Sequence, residues 1–472
     1  MGILEAQLVA PDFMAVLRDP HSRPSDTFPR LDMCFLFALM WSVGAVTDEP
    51  GRRAFSEHLR KSSQTVHQLG PERLFKLERS AHLPDGGHGV HEYFVDGPRW
   101  AAWKDRLRSA AAAPDRQQGA DGCAQHTFVA TTESLKVTRI LELCLAHKLP
   151  VLLVGPTGTG KSLSVQQLLR GAPRERRTSV SLTFSAKTTT RQIGEILLAQ
   201  LEKRGRRVVG PAPGKRCAVF VDDLSMPAPE AYGAQPPIEL LRQLVDHRAW
   251  FDQSEKGRPL REVVDLDFIA AMGPAGGGRN QVTPRLLRHF NMIAINHFSE
   301  AVLVRIFGSQ IDAHIRASGL LGHPAGKALR GATEAAVEVL LFAQRELRPT
   351  PTKSHYLFNL RDVARVVQGL QRLGRGELGA GAKKAVRLWV HEVARVFSDR
   401  LSSEDDQRAL YDFLVLAARD KIREDLAAAL SPDFSQAEEG WSVMARQIVF
   451  TELRPGPAAL DEVLPAAREA QH

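Results

Sequence analysis

The chain has 472 residues, 43% hydrophobic and 25% charged, with a formal net charge of +8, an ordinary globular balance that allows two to four domains at about 100–200 residues each. Cys34, Cys123, Cys144 and Cys217 form no CxxC pair, which argues against a zinc ribbon or disulfide framework and fits a reducing compartment. The basic clusters at 174–177 and 203–207 carry no interleaved aromatics, so they read as solvated faces and no nucleic-acid partner is expected.

Residues 1–108 read as a mostly helical segment. No basic stretch leads into an apolar one, so no signal peptide is expected. "MCFLFALMWSVGAV", Met33 to Val46, is apolar all round. It falls short of the ~20 residues that span a bilayer, so it is expected as a buried helix with no membrane partner. "DEPGRRAFSEHLRK" continues as a charged amphipathic helix. Trp100 and Trp103, three apart, share a face if helical and read as core. "SAAAAPDRQQGADG", Ser109 to Gly122, reads as a linker, and the boundary is placed at 109–127.

From residue 128 to about 320, short apolar runs alternate with amphipathic stretches. Strands are expected at Pro150–Val154, Ser179–Phe184, Cys217–Asp222, Asp267–Met272 and Met292–Ile295. Helices are expected at Gly160–Arg170, Thr189–Arg204, Pro237–Asp246 and Ser299–Ser318. Continuous apolar strands joined by helical crossovers predict an α/β fold, a doubly wound parallel sheet of about five strands. Residues 321–430 read as an α-helical lid subdomain and 431–472 as a connecting segment. His391-Glu392 opens like a zinc-binding helix motif, but Arg395 stands where the second His is needed.

The strongest motif is "GPTGTGKS", comprising Gly155, Pro156, Thr157, Gly158, Thr159, Gly160, Lys161 and Ser162. It follows an apolar strand and opens a helix, the context a P-loop requires. Backbone N–H groups can turn onto phosphates, Lys161 can reach the β- and γ-phosphates, and the Ser162 hydroxyl can ligate Mg²⁺. "AVFVDDLSMP" then ends a strand in Asp222, placed as a Walker B carboxylate for the same Mg²⁺. Asp223 occupies the position where hydrolytic P-loop proteins usually carry a Glu that polarises water. Its stem is one methylene shorter, and misplacing a base by about 1 Å costs on the order of a hundredfold. Hydrolysis is therefore expected to be slow or absent in the isolated chain.

"AAMGPAGGGRN" ends another strand. A polar side chain at its end would sense the γ-phosphate, but the place holds Gly273, with Asn280 further on. "TPRLLRHFN" brings Arg285, Arg288 and His289. Arginines there can serve as a finger to a neighbouring nucleotide or simply lie in surface salt bridges. "NLRDVARVV" starts a helix with Asn359 as cap and Arg361 in its first turn. A cation is disfavoured there unless an anion meets it. A nucleotide phosphate or a neighbouring acid such as Asp362 would serve.

Taken together, "PVLLVGPTGTGKS", "FSAKTTTRQI", "VFVDDLSMPAPEAYGAQPPIELLRQLVDH", "GPAGGGRNQVTPRLLRHFN", "HYLFNLRDVARVVQGL" and "LWVHEVARVFSDRL" resemble the third AAA+ module of axonemal dynein heavy chains, particularly inner-arm types. "FLFALMWSVGAVTDEPGRRAF" resembles the end of the second module. The resemblance implies a module that binds ATP or ADP with Mg²⁺ and regulates the main hydrolytic site elsewhere in a microtubule motor of cilia and flagella. It implies the lid sensor arginine at Arg361 and a finger at Arg288 that acts on the preceding module's nucleotide. It implies neighbouring AAA+ modules, intermediate and light chains and microtubules as partners of the full motor, and a place in the cytoplasm and axoneme. Nothing here resembles the stalk, its microtubule-binding tip, the linker or the first module. Two further readings stay open: a self-assembling AAA+ ATPase that remodels a protein partner, and a nucleic-acid-binding NTPase suggested by charge alone.

Overall fold

The structure, a computed structural model, describes residues 24–65, 67–68, 74–75, 81–84, 87–112, 129–173, 175–252, 257–274, 276, 279–373, 381–430, 449–451 and 461–463. The chain divides into two compact units, one holding the N-terminal segment with residues 130–297 and the other residues 298 onward. The expected linker lies outside the described residues apart from its first four, which end a helix.

Helix α1 (Pro24–Ser42) buries Met33, Leu36, Phe37, Met40 and Trp41, the spacing of one helical face. Phe35, Val43 and Val46 are exposed, so the run expected to be buried on all sides has an open face. Phe28–Val46 is long and apolar enough to cross a membrane. Here its buried face joins the core instead. Helix α2 (Glu49–Gln64) starts where the Asp48 carboxylate accepts the Gly51 N–H at 2.9 Å.

The two tryptophans do not share a helix. Strands β1 (Tyr93–Asp96) and β2 (Arg99–Ala102) form an antiparallel hairpin around Gly97-Pro98. Proline has no N–H for a helix interior and Gly97 turns the chain at φ 58°, so the helical reading fails at this point. Trp100 lies in β2 and donates to the Ala81 carbonyl at 3.0 Å. Trp103 begins α3 (Trp103–Ala112) and packs fully buried on Phe94, ring centroids 4.5 Å apart.

Helix α4 (Thr132–Ala146) opens with a capping box between Thr131 and Ser134. Strand β3 (Val151–Val154) leads through the P-loop into α5 (Lys161–Gly171). Strand β4 (Arg177–Thr183) is followed by α6 (Thr190–Gln200), itself opened by a Thr189–Gln192 capping box. The helix expected to reach Arg204 stops early. Leu201 turns extended, and β5 (Glu202–Lys203) pairs with β6 (Val208–Gly210). The Arg204 guanidinium ties this turn to the Pro211 and Ala212 carbonyls. Next come β7 (Arg216–Asp222), α7 (Pro236–Asp246), β8 (Ala249–Phe251), β9 (Leu260–Val263), β10 (Leu266–Met272), the short α8 (Pro284–Leu287) and β11 (Asn291–Ala294).

The main sheet has five parallel strands in the order β11-β3-β10-β7-β4. A second, smaller sheet, β8-β9-β6-β5, has no counterpart among the expected strands; its members are too short to show an alternating pattern. The pleat sends successive residues to opposite faces. Val151, Leu153, Phe220 and Ile269 thus join a core with α1 and α4. Leu152, Val219, Val221 and Phe268 join the core of the other face, with Ile193, Leu197 and Leu241 from α6 and α7. The N-terminal segment therefore shares the core under the P-loop strand, and Arg52 donates to the Ala294 carbonyl at 2.7 Å.

The second unit is helical: α9 (Glu300–Ala317), α10 (Pro324–Glu346), α11 (Leu360–Leu370), α12 (Gly381–Val396), α13 (Glu404–Ala417) and α14 (Leu426–Leu430). One core runs through it, centred on the small residues of α10 and on Trp389.

Candidate nucleotide-binding site

Strand β3 lies second in the sheet, and the chain switches direction there: β4, β7 and β10 lie to one side and β11 to the other. In open parallel sheets the ligand crevice forms at such a switch, at the strands' carboxyl ends. The P-loop occupies that place. The Gly155 N–H continues the ladder to the Met272 carbonyl at 3.2 Å. A Cβ on Gly155 would stand 2.4 Å from the Ile295 carbonyl oxygen, so only glycine lets the loop leave the sheet here. Gly160 caps α5 at φ 75°, in the left-handed region glycine allows.

No side chain caps the N-terminus of α5, and its first turn holds no acid. Its leading N–H groups and the positive end of the helix dipole are left for an anion. The Lys161 ammonium donates to the Gly155 and Pro156 carbonyls at 2.8 and 2.6 Å, folded over the loop that would hold phosphates. Thr159 is buried and its hydroxyl donates to the Pro156 carbonyl at 2.9 Å, bracing the turn. Ser162 lies in the first turn of α5, half-buried. This donor set fits the polyphosphate of a nucleotide with its Mg²⁺.

Asp222 ends β7, half-buried, and Asp223 follows it, exposed, at φ 54°. The Asp223 N–H donates to Asp222 Oδ1 at 3.1 Å. One strand, β10, separates β7 from β3. At about 4.8 Å per strand, the Walker carboxylate and the P-loop lie roughly 10 Å apart across the sheet edge. That gap suits a phosphate with its metal.

Two side chains that sequence reasoning left without a role brace this edge. Asn280 donates its amide to the Met226 and Pro227 carbonyls at 3.2 and 3.0 Å. The buried Gln235 donates to the same Pro227 carbonyl at 2.9 Å. Asn280 is therefore occupied in holding the loop after Asp223. Gly273 follows the last residue of β10, Met272, whose carbonyl accepts the Gly155 N–H, and the volume a side chain at 273 would fill is taken by the Arg279 guanidinium.

Arg288 is exposed, with Asp246 at 3.7 Å and the His289 ring at 3.3 Å. His289 and Arg242 also face Asp246. Arg285 contributes its main-chain N–H to the Thr283 cap at 3.3 Å. Arg361 belongs to the second unit. Its exposed guanidinium has no hydrogen-bond or ion-pair partner among the described residues. Asp362 is buried and already engaged, accepting the Asn359 N–H at 2.8 Å and the guanidinium of Arg400.

Known families match the chain in three successive stretches. Residues 6–105 match the dynein heavy chain AAA lid domain, 118–298 the P-loop containing dynein motor region, and 321–407 the dynein heavy chain ATPase lid domain. Dynein axonemal heavy chain 12 of Rattus norvegicus is 38% identical over 407 residues, covering 84% of this chain and 13% of that protein. Dynein axonemal heavy chain 3 of Mus musculus is 38% identical over 389 residues, covering 80% and 9%. Dynein axonemal heavy chain 1 of Homo sapiens is 37% identical over 413 residues, covering 84% and 9%. The chain thus spans about a tenth of the length of these relatives. With a P-loop at the switch point of a five-stranded parallel sheet and a helical unit after it, this chain belongs to the dynein heavy chain family.

Proposed function

We propose that this chain is the third AAA+ module of an axonemal dynein heavy chain of inner-arm type, preceded by the end of the second. Its P-loop binds ATP or ADP with Mg²⁺, and the bound nucleotide regulates the motor ring of the full heavy chain. Gly155 to Ser162 hold the phosphates, Ser162 and Asp222 share the Mg²⁺, and Arg361 reads the nucleotide from the lid. Arg288 serves the preceding module's nucleotide. Asp223 acts as a weak base, so the isolated chain holds nucleotide longer than it turns it over. Within the full motor its partners are the neighbouring AAA+ modules, with intermediate and light chains and microtubules, in the cytoplasm and the axoneme.

The observation that carries this reading is the uncapped α5 N-terminus with Lys161 folded over its loop. Calorimetric titration of the 472-residue chain with ADP and ATP in Mg²⁺ tests it. Losing the charge-assisted contacts of Lys161, about 1.5–3 kcal/mol, lowers affinity in Lys161→Ala by roughly ten- to a hundredfold. A wild type that binds neither nucleotide overturns the reading.

A further inference from the structure

Arg279 is half-buried, and its side chain has no hydrogen-bond or ion-pair partner among the described residues. Its guanidinium occupies the end of β10: a Cβ built on Gly273 would meet Arg279 Nη1 at 1.6 Å and Cζ at 2.1 Å. Gly273 follows Met272, whose carbonyl accepts the Gly155 N–H at 3.2 Å. The cation thus stands at the strand end next to the start of the P-loop. Withdrawing a guanidinium from water without a counter-charge costs free energy. An anion arriving there recovers it.

The loop is built to keep the arginine in place. Gly276 and Arg279 pair across its base, with the Arg279 N–H to the Gly276 carbonyl at 3.4 Å. The next residue is anchored: Asn280 donates its N–H to the Ser225 carbonyl at 3.1 Å and its amide to Met226 and Pro227. Arg279 is therefore held between the Walker B loop and the end of β10. Any side chain at position 273 would evict it.

We propose that Arg279 contacts the terminal phosphate of a bound nucleoside triphosphate, supplying from the loop the polar group that Gly273 does not carry on the strand. This rests on the P-loop being a nucleotide site. A guanidinium is permanently charged and offers paired donors to phosphate oxygens. It favours a triphosphate over a diphosphate by charge and hydrogen bonding together. A neutral amide at the strand end would add hydrogen bonding alone.

The test compares Mg²⁺-ADP with a non-hydrolysable Mg²⁺-ATP analogue on the 472-residue chain, for the wild type, Arg279→Ala, Arg279→Lys and Lys161→Ala. Arg279→Ala is expected to lose roughly tenfold or more in affinity for the triphosphate while its ADP affinity stays at the wild-type value. Unchanged ADP binding also shows that the variant is folded. Arg279→Lys retains part of the triphosphate preference, and Lys161→Ala weakens both ligands. Equal losses for both nucleotides in Arg279→Ala, or no loss for either, overturn the assignment and leave the P-loop reading standing. A wild type that binds neither ligand removes both.

Discussion

The main-chain N–H of Asp223 donates to the Asp222 carboxylate at 3.1 Å, while Asp223 itself sits at φ 54°. The backbone contact fixes the orientation of the carboxylate proposed above to share the Mg²⁺. The left-handed backbone, which Asp tolerates better than longer side chains, points to why Asp can stand here at modest cost.

Asp223→Glu extends the carboxylate by one methylene and places a less tolerant residue at a positive φ. Turnover, followed by phosphate release, is expected to rise on the order of tenfold or more, since about 1 Å of misplacement can cost a hundredfold. Stability is expected to fall by about 1 kcal/mol. A wild type that already turns over briskly, with no gain in the variant, would show that Asp223 is not the limiting group.

Gly155→Ala forces a methyl group against the Ile295 carbonyl, 2.4 Å from where its carbon would stand. Overpacking of this kind costs about 1–3 kcal/mol, so Tm is expected to drop by roughly 2–4 °C for each kcal/mol. Nucleotide affinity should fall in parallel as the loop shifts. Thermal melts with and without ADP measure both effects, and an unchanged Tm would contradict the packing described.

Arg361 and Asp362 are neighbours with opposite duties. Asp362 is 2% exposed and closes the cap of α11 while pairing with Arg400. Asp362→Ala removes the counter-charge of that guanidinium, leaving it the Val396 and Leu357 carbonyls alone, and orphans the Asn359 N–H; it is expected to cost about 3 kcal/mol. Arg361→Ala touches no partner among the described residues, so its stability should stay within about 0.5 kcal/mol while its triphosphate affinity drops. Denaturant titrations of the two variants separate the cases; a large loss for Arg361→Ala would mean a structural role.

His91 is 3% exposed, packed on Trp41 and Phe55, with a ring nitrogen 3.2 Å from the Met40 carbonyl. Burial first, and then the charge of Arg52, push its pKa down to about 4 from an ordinary 6.5. The unfolded chain therefore takes up the proton first as pH falls. The stabilisation is fully present above about pH 6.5 and is lost on the way down to pH 4, an effect of about 3 kcal/mol. Urea midpoints between pH 7.5 and 4 should decline, with a shallower decline in His91→Phe. Equal slopes would place the acid sensitivity elsewhere.

Burial raises the thiols of Cys34 and Cys144 to about 11 and about 12, so neither is a reactive nucleophile.

Much of the fold was legible because its signals are local. Four of the five main strands are short, largely apolar runs and β4 alternates, with Val180 and Leu182 turned inward; each lies within two residues of the expected span. The β1–β2 hairpin and the small sheet were not legible in the same way. Trp100 and Trp103 fit a helical spacing equally well, and strands of two to four residues carry too little alternation to outvote it.

By itself the sequence determined the glycine-rich motif after an apolar strand, the paired aspartates at 222 and 223 and the absence of a polar side chain at position 273, because each depends on residues adjacent in the chain. Only the tertiary structure decided the strand order that sets Gly155, Gly273 and Asp223 along one edge. It also decided that Asn280 is spent on the Pro227 carbonyl and that the Arg279 guanidinium fills the space above Gly273. Those placements follow from parallel pairing between distant segments and from the path of one loop, and no periodicity in the chain records either.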